Sequence, residues 1–333
     1  MDINKRFALY PCCILTKGDK RAVISDLQRS KYKLIPLALY TLLTEYSRLS
    51  IQEIIDEFRD NKETILSYYK YLLDNDLGIL EEKNQSMFIP IKTNFYNPKL
   101  ITNAIFDYDK QSEYSLGLAI NKLEELHCEN LEIRLYDVVN IEFLSNNIFR
   151  FLDGTSIRNL ELLVQYYDEL TLEKIIDIRI KNPRISRFII SSSPYDKAES
   201  YKGLQVIYTM EKIKDETHCG VIKHYYFNPD ITMYTESLHL NNCLNAKIAV
   251  DKKGNIKNCP SMKRIWGHIN NDSLLEIASD KEFQKIWHIK KDDIKVCHKC
   301  EFRYLCQDCR AYIENENDIY SKPLKCNYNP LNV

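Results

Sequence analysis

Cys297-His-Lys-Cys300-Glu-Phe-Arg-Tyr-Leu-Cys306-Gln-Asp-Cys309 is the stretch on which the reading of this chain turns. It holds two Cys-x-x-Cys pairs separated by five residues. Working outward, Cys326 follows it, and Cys243, Gly254 and Cys259 precede it, so seven of the eleven cysteines lie from Cys243 onward. Free cysteine is usually a lone buried residue. Thiolates bunched at these spacings are ligands for soft metals, and two full sites would take about eight of them. A disulfide knot is disfavoured. The start, MDINKRFALYPCCILTKGDKR, has no long apolar run and no small-residue cleavage site, so a cytoplasmic, reducing setting is expected.

The rest of the composition excludes several classes. At 333 residues the chain has room for two or three domains. No segment reaches the apolar length that spans a bilayer, so no membrane partner is expected. A net charge of −1 argues against a nucleic-acid footprint. Glycine is scarce (8), and neither GxxxxGK[ST] nor GxGxxG occurs, so no nucleotide loop is expected. The 23 tyrosines suit either core and surface filling, the plainer reading, or a peptide-binding face.

Three regions follow from the patterning. Residues 1–92 open with Phe7-Ala-Leu-Tyr-Pro-Cys-Cys-Ile-Leu15, an apolar run of strand length. Lys17-Gly-Asp-Lys20 reads as a turn, Arg21–Ser25 as a return strand and Lys31–Pro36 as a short third. Helices are expected over Leu37–Tyr46, from Ser50 with Glu53 in a capping box, and over Lys62–Asp74. Leu77–Glu82 and Ser86–Pro90 read as a small wing. A ribbon, three helices and a wing make a winged-helix-like plan. The third helix is only weakly basic, so the module is read as one for peptide recognition, with a free strand edge able to capture an extended peptide. Cys12 and Cys13, adjacent in a strand, should face opposite ways and so not share a metal; Cys128 is likewise read as a small buried residue.

Residues 93–235 alternate strands (Leu100–Phe106, Leu131–Leu135, Leu160–Val164, Arg187–Ile190, Leu204–Tyr208) with helices (Ser115–Leu126, Ile141–Leu152, Leu172–Ile180). That rhythm implies an α/β fold with a parallel sheet or partial barrel, whose functional end lies at the carboxyl ends of the strands. Those ends are polar, and the sequence shows no nucleophile–base pair among them. Residues 236–333 hold the cysteines. Asp251-Lys-Lys-Gly254 signals a hairpin that can bring Cys243 and Cys259 together at its open end. Leu274–His288 reads as a helix, and the dense cysteine run as a loop leading into one more.

The C-terminal pattern resembles the SPASM domain, the auxiliary iron–sulfur module of peptide-modifying radical SAM enzymes. That family reads Cys, Gly, Cys, a gap, CxxC-x5-C-x3-C and a final Cys. This chain matches at Cys243, Gly254, Cys259, Cys297, Cys300, Cys306, Cys309 and Cys326, with two residues instead of three between Cys306 and Cys309. Cys300–Tyr312 and Lys322-Pro-Leu-Lys-Cys-Asn-Tyr-Asn-Pro330 look like the SPASM peptide maturases of grasp-with-spasm systems, which accompany an ATP-grasp ligase and a short precursor peptide. The resemblance implies a winged-helix-like precursor-recognition module over 1–92, a degenerate partial (β/α) barrel over 93–235 and a SPASM iron–sulfur domain over 236–333. It implies one or two 4Fe–4S clusters. Cys297, Cys300, Cys306 and Cys326 would hold one, and Cys243, Cys259 and Cys309 would give three ligands to the other. The family's fourth ligand falls near Glu236-Ser-Leu-His-Leu-Asn-Asn242, which has no cysteine. Three answers stay open: His239, Cys219 swinging in, or an iron left open for substrate.

One departure shapes the function. Radical SAM enzymes hold their catalytic cluster with CxxxCxxC after the first barrel strand. The matching place, Asp107-Tyr-Asp-Lys-Gln-Ser-Glu-Tyr-Ser-Leu116, has no cysteine, and no glycine-rich segment follows the second strand. SAM is therefore not expected as a cofactor. The leading expectation is an iron–sulfur partner in maturation of a ribosomally made peptide, binding the precursor and working with an ATP-grasp ligase. The alternatives are an iron–sulfur enzyme acting through an open cluster and a zinc-stapled binding protein.

Overall fold

The computed structural model describes residues 1–83, 87–223 and 227–332. The first apolar run is not one strand. Tyr10 carbonyl accepts from Cys13 N at 2.8 Å, and Pro11 turns the chain inside that bend. The run becomes β1 (Arg6–Leu9) and β2 (Cys13–Lys17). The strands β3 (Arg21–Asp26) and β4 (Lys31–Pro36) complete an antiparallel sheet in the order β2-β3-β4. Three helices follow: α1 (Leu37–Thr44), α2 (Ile51–Glu57) and α3 (Lys62–Asp74). The Ser50–Glu53 capping box forms, with Ser50 Oγ accepting from Glu53 N and Glu53 accepting from Ser50 N at 2.8 Å. Ile51, Ile54, Ile65, Tyr69 and Leu72 bury against Ala22, Ile24 and Ile35 of the sheet.

Half of the expected wing exists. β5 (Gly78–Glu81) pairs antiparallel with β1 as a separate two-stranded ribbon. Ser86 lies outside the described residues, and Met87–Pro90 form no strand. A run in which Met87 and Ile89 point into solvent buries too little to hold one.

The central sheet explains the second rhythm. The order of elements is β6 (Asn103–Tyr108), α4 (Leu116–Leu123), β7 (Asn130–Leu135), α5 (Ile141–Asn147), β8 (Asn159–Gln165), α6 (Leu172–Lys181) and β9 (Ile185–Ser191). Then come β10 (Lys197–Tyr201), β11 (Leu204–Tyr208), α7 (Ile231–His239), β12 (Lys247–Val250), β13 (Asn255–Lys257), β14 (Gly267–His268), α8 (Leu274–Ser279) and α9 (Lys281–Gln284). Nine strands join in one mostly parallel sheet, ordered β10-β11-β9-β8-β7-β6-β12-β13-β14. This is the expected α/β class. β10 is an antiparallel edge that the strand–helix rhythm did not reveal. β12 pairs parallel with β6, so the hairpin of the cysteine-rich region extends the same sheet as the β/α units.

Period-two alternation sorts the sheet's faces. Ala104, Phe106, Leu131, Ile133, Leu160, Leu162, Ile248 and Val250 pack into the helix-side core. The other face carries Asn103, Asp107, Asn130, Glu132, Arg134, Asn159, Glu161 and Lys247. The helix expected over Leu274–His288 is broken at Asp280, which caps α9 by accepting from Glu282 N at 2.8 Å; the rest, Lys285–His288, is a 3₁₀ turn. The cysteine run holds one 3₁₀ turn, Cys297–Lys299, and no α-helix. No helix among the described residues is long and apolar enough to cross a membrane.

Candidate functional site

The cysteines gather into two groups. Cys297, Cys300, Cys306 and Cys326 all line one cavity of about 390 Å³, closed in part by Phe227, Phe302 and Tyr328. Backbone bonds fix the ligand loops: Cys300 N donates to Cys297 carbonyl at 2.9 Å, and Cys326 N to Pro323 carbonyl at 3.2 Å. Burial pushes the Cys306 thiol up to about 11 and raises Cys297 and Cys300 as well.

The second group is Cys243, Cys259, Cys309 and Cys219. Cys219 lies close enough to the other three that a thiolate there would raise each of their pKa values. Cys243 precedes β12 and Cys259 follows β13, so the hairpin brings them together at its open end. Cys219 arrives on a strap running from Thr209 to Gly220. The strap packs Ile213 on Tyr136 and Leu163, and Ile213 carbonyl accepts from Gln165 Nε2 at 3.0 Å. Gly220 has φ +83°, and a Cβ there would lie 2.9 Å from the Tyr312 ring and 3.1 Å from Cys309 Sγ. Glycine therefore permits the close approach of Cys219 to Cys309. Lys325 Nζ donates to Cys219 carbonyl at 2.7 Å, tying the strap to the loop of Cys326.

Cys306 and Cys309, three residues apart, thus serve different groups. Asn242 joins the two: its Nδ2 donates to Cys306 carbonyl at 3.1 Å and its Oδ1 accepts from Asp308 N at 3.0 Å. Asp308 is buried between them. Its carboxylate takes Lys291 Nζ at 3.1 Å, Arg310 Nη2 at 2.9 Å and Asn241 Nδ2 at 2.7 Å.

Both groups carry a lysine that sequence reasoning missed. Lys291 is buried; desolvation works against its charge, but Cys306, Asp308 and Cys297 outweigh it and raise its pKa. Lys247 Nζ lies 3.7 Å from Cys243 Sγ. Burial opposes its charge too, and Cys243, Cys259 and Cys219 overcome that and raise its pKa. The donor sets fit a soft metal group. Cys259, pushed by burial up to about 12, stays protonated as a free thiol at neutral pH and ionises only against a bound cation.

His239 is placed elsewhere. It ends α7, with Nε2 3.1 Å from Thr93 carbonyl. Cys128 is buried, with Sγ donating to Asn130 carbonyl at 3.4 Å. The reading of Cys12 and Cys13 needs correction. Cys12 sits in the Tyr10–Cys13 turn, outside the strand, so alternation does not separate it from Cys13. The sulfurs of Cys12 and Cys13 and a carboxylate oxygen of Asp26 lie within 4.8 Å of one another. That carboxylate is already engaged by Arg29 Nη1 at 2.8 Å and by the backbone N–H groups of Gln28 and Arg29.

At the carboxyl end of β6, Asp107 is buried. Arg134 donates to it through Nε at 2.6 Å and Nη2 at 2.9 Å. Desolvation pushes Asp107 up to about 6 despite the guanidinium, while Arg134 is held protonated. A cavity of about 470 Å³ opens beside it, lined by Tyr108, Asp109, Asp137 and Phe143. Among the described residues no thiol lines it.

The fold and site define a mostly parallel α/β protein with two four-cysteine groups, an N-terminal sheet-and-helix module and a salt-bridged strand end. No family model matches the chain, and no curated protein does. A solved structure, Streptococcus suis SuiB bound to precursor peptide SuiA, aligns over 93% of this chain and 95% of that chain at 11% identity, with a TM-score of 0.26. At that score the likeness carries no statement about fold or function.

Proposed function

We propose that this chain is a cytoplasmic iron–sulfur component in the maturation of a ribosomally made peptide. It binds the precursor through residues 1–92 and presents it to an ATP-grasp ligase, without radical SAM chemistry. The observation that carries the reading is the sorting of eight cysteines into two groups of four: Cys297, Cys300, Cys306 and Cys326, and Cys219, Cys243, Cys259 and Cys309. The resemblance of the cysteine spacing to the SPASM pattern supports clusters over single ions, although Cys-x-x-Cys pairs also suit zinc. A 4Fe–4S cluster, when bound, supplies one-electron chemistry or a structural brace. Cys219 as fourth ligand removes the motive for an open iron, which favours scaffold or electron carrier over a Lewis-acid enzyme.

The peptide half of the reading rests on β4. Arg21 carbonyl accepts from Gly18 N, so Arg21, Val23 and Ser25 direct their backbone groups toward β2, and Ala22, Ile24 and Asp26 toward β4. On β4 the alternation leaves Tyr32 and Leu34 with N–H and C=O on the outer edge. An extended peptide can add there as a strand. The opposite edge is occupied, since Lys17 carbonyl accepts from Arg303 Nη1 at 2.7 Å.

The test is iron, sulfide and zinc analysis of anaerobically purified protein. About eight iron and eight labile sulfide per chain are expected for two four-iron clusters. Stoichiometric zinc without labile sulfide would replace this reading with a zinc-stapled peptide-binding protein.

A further inference from the structure

We propose that the Lys247 ammonium sets the reduction potential of the group held by Cys219, Cys243, Cys259 and Cys309, acting as a positioning charge that eases its one-electron reduction. The inference rests on the iron–sulfur reading above and deepens it.

Lys247 begins β12, where its backbone pairs in register with Asn103 of β6. Its side chain lies on the polar face of the sheet, lining a small cavity of about 160 Å³ with Asn103, Asn130, Asn159, Glu132 and Glu161. Among the described residues its one hydrogen-bond acceptor is Cys243 Sγ, 3.7 Å away, and no carboxylate oxygen forms an ion pair with it. A partly buried ammonium is expected to have a counter-charge; among the described residues its hydrogen-bonding neighbour is a sulfur, and Glu132 on the same sheet face contributes less to holding its charge than Cys243, Cys259 and Cys219 do. The contrast with Lys291 is direct. That lysine also lies among cluster-site sulfurs, but its ammonium is 3.1 Å from the Asp308 carboxylate. Among the described residues Lys247 forms no such ion pair, and its hydrogen bond goes to the Cys243 sulfur.

Placement makes this specific. Cys243 and Lys247 are four residues apart across the entry into β12, with Ala246 at φ +48° just before the strand. The left-handed residue reverses the chain so that the β12 side chain returns over the Cys243 sulfur. A residue on the helix-side face, such as Ile248, could not do this. One electron added to a thiolate-ligated cluster raises its negative charge. A fixed cation in a low-dielectric site stabilises the reduced form more than the oxidised one, and N–H···S hydrogen bonds act in the same sense. Were a cluster held by these cysteines, it would take one electron from a reductant of the dithionite class, and no bond to Lys247 would form or break.

The experiment is a potentiometric titration with dithionite as reductant, followed by electron paramagnetic resonance, on full-length protein with iron and sulfide measured on each sample. The transition of this site is the one lost in Cys243→Ala. Lys247→Met is expected to move that transition to lower potential and to leave the other in place, with metal content unchanged. Lys247→Arg is expected to restore it, and Lys291→Met to move only the other. Should Lys247→Met load poorly, Lys247→Gln keeps a donor without the charge and is expected to give a smaller shift in the same direction. An unmoved transition in a fully loaded Lys247→Met or Lys247→Gln protein would overturn the proposal. Wild-type protein that carries zinc and no sulfide overturns the cluster reading itself, before any variant is compared.

Discussion

Arg21 on β3 places its Nε 2.5 Å from the carboxylate of Glu301, the residue that follows Cys300. The same carboxylate oxygen takes the Tyr328 hydroxyl at 2.5 Å, and Arg21 Nη2 reaches that hydroxyl at 3.0 Å. Glu301 is fully buried. Around this triad, Val23 and Leu27 of the N-terminal module pack with Tyr234, Phe302 and Leu305 in one small core. A Cβ on Gly18 would sit 2.9 Å from Glu301 N, so the β2–β3 turn is pressed against the ligand loop. The module proposed to hold the peptide and the loop carrying Cys300 are therefore parts of one packed interface.

Arg21→Ala should loosen both. Removing one partner of a buried pair costs about 3–5 kcal/mol. Arg21 is 30% exposed on its side chain, so a loss of about 2 kcal/mol is the reasonable figure here. Glu301→Gln in the same chain should recover part of it. Urea denaturation of the single and double variants measures the coupling, and simple additivity would mean that the pair contributes nothing.

Cys219 and His239 make opposite predictions for the same position. Cys219→Ala should strip iron from one group and leave the other loaded, taking total iron toward half of the wild-type content. His239→Ala should change neither iron nor sulfide, because among the described residues the imidazole's hydrogen-bond partner is the Thr93 carbonyl. The reverse pattern would move the fourth ligand to α7 and leave the strap without a metal role.

Short-range chemistry made some elements legible. The apolar runs of β7, β8 and β11 and the Ser50–Glu53 box are local signals, and they sit where the sequence puts them. Pro11 was legible too, but the apolar run around it masked the break. What local pattern cannot supply is the partner across the sheet. β12 joins β6 from 144 residues away, as the register Lys247↔Asn103 records, and nothing in either segment announces it. Cys219 had no spacing signal because its strap crosses the sheet's polar face before reaching the other thiols. Lys247 carries no local signal of its own in the sequence. Only the register turns it toward Cys243.

Asp107 and Arg134 give a pH signature. Burial lifts the carboxyl to about 6, above its usual value of 3.8. The folded chain thus holds this proton more tightly than the unfolded chain between those limits. The stabilising contribution is complete below pH of about 4 and is lost as pH rises through about 6. Asp107→Asn should flatten that part of the stability–pH curve. Arg134→Met should be far worse at neutral pH, by about 3–5 kcal/mol, because it leaves the buried carboxylate unpaired. Thermal melts across pH 4–8 would show both, and parallel curves for wild type and Asp107→Asn would mean that the carboxyl titrates as it does in water.

Leu34→Pro tests the peptide edge with little harm to the fold. The backbone N–H of Leu34 points away from β3, so proline there removes no bond of the β3–β4 ladder, and edge strands tolerate it. An added strand would lose a donor and meet the ring. Lys33→Pro, one residue earlier, deletes a ladder donor to β3 and should destabilise the module itself. The measurement is fluorescence anisotropy with a labelled candidate precursor peptide encoded alongside the chain. Leu34→Pro should weaken binding at least tenfold with an unchanged melting temperature, a loss of about 1.4 kcal/mol or more. Lys33→Pro should lower the melting temperature. Equal binding by wild type and Leu34→Pro would exclude β4 as the docking strand and shift attention to the helical side of the module.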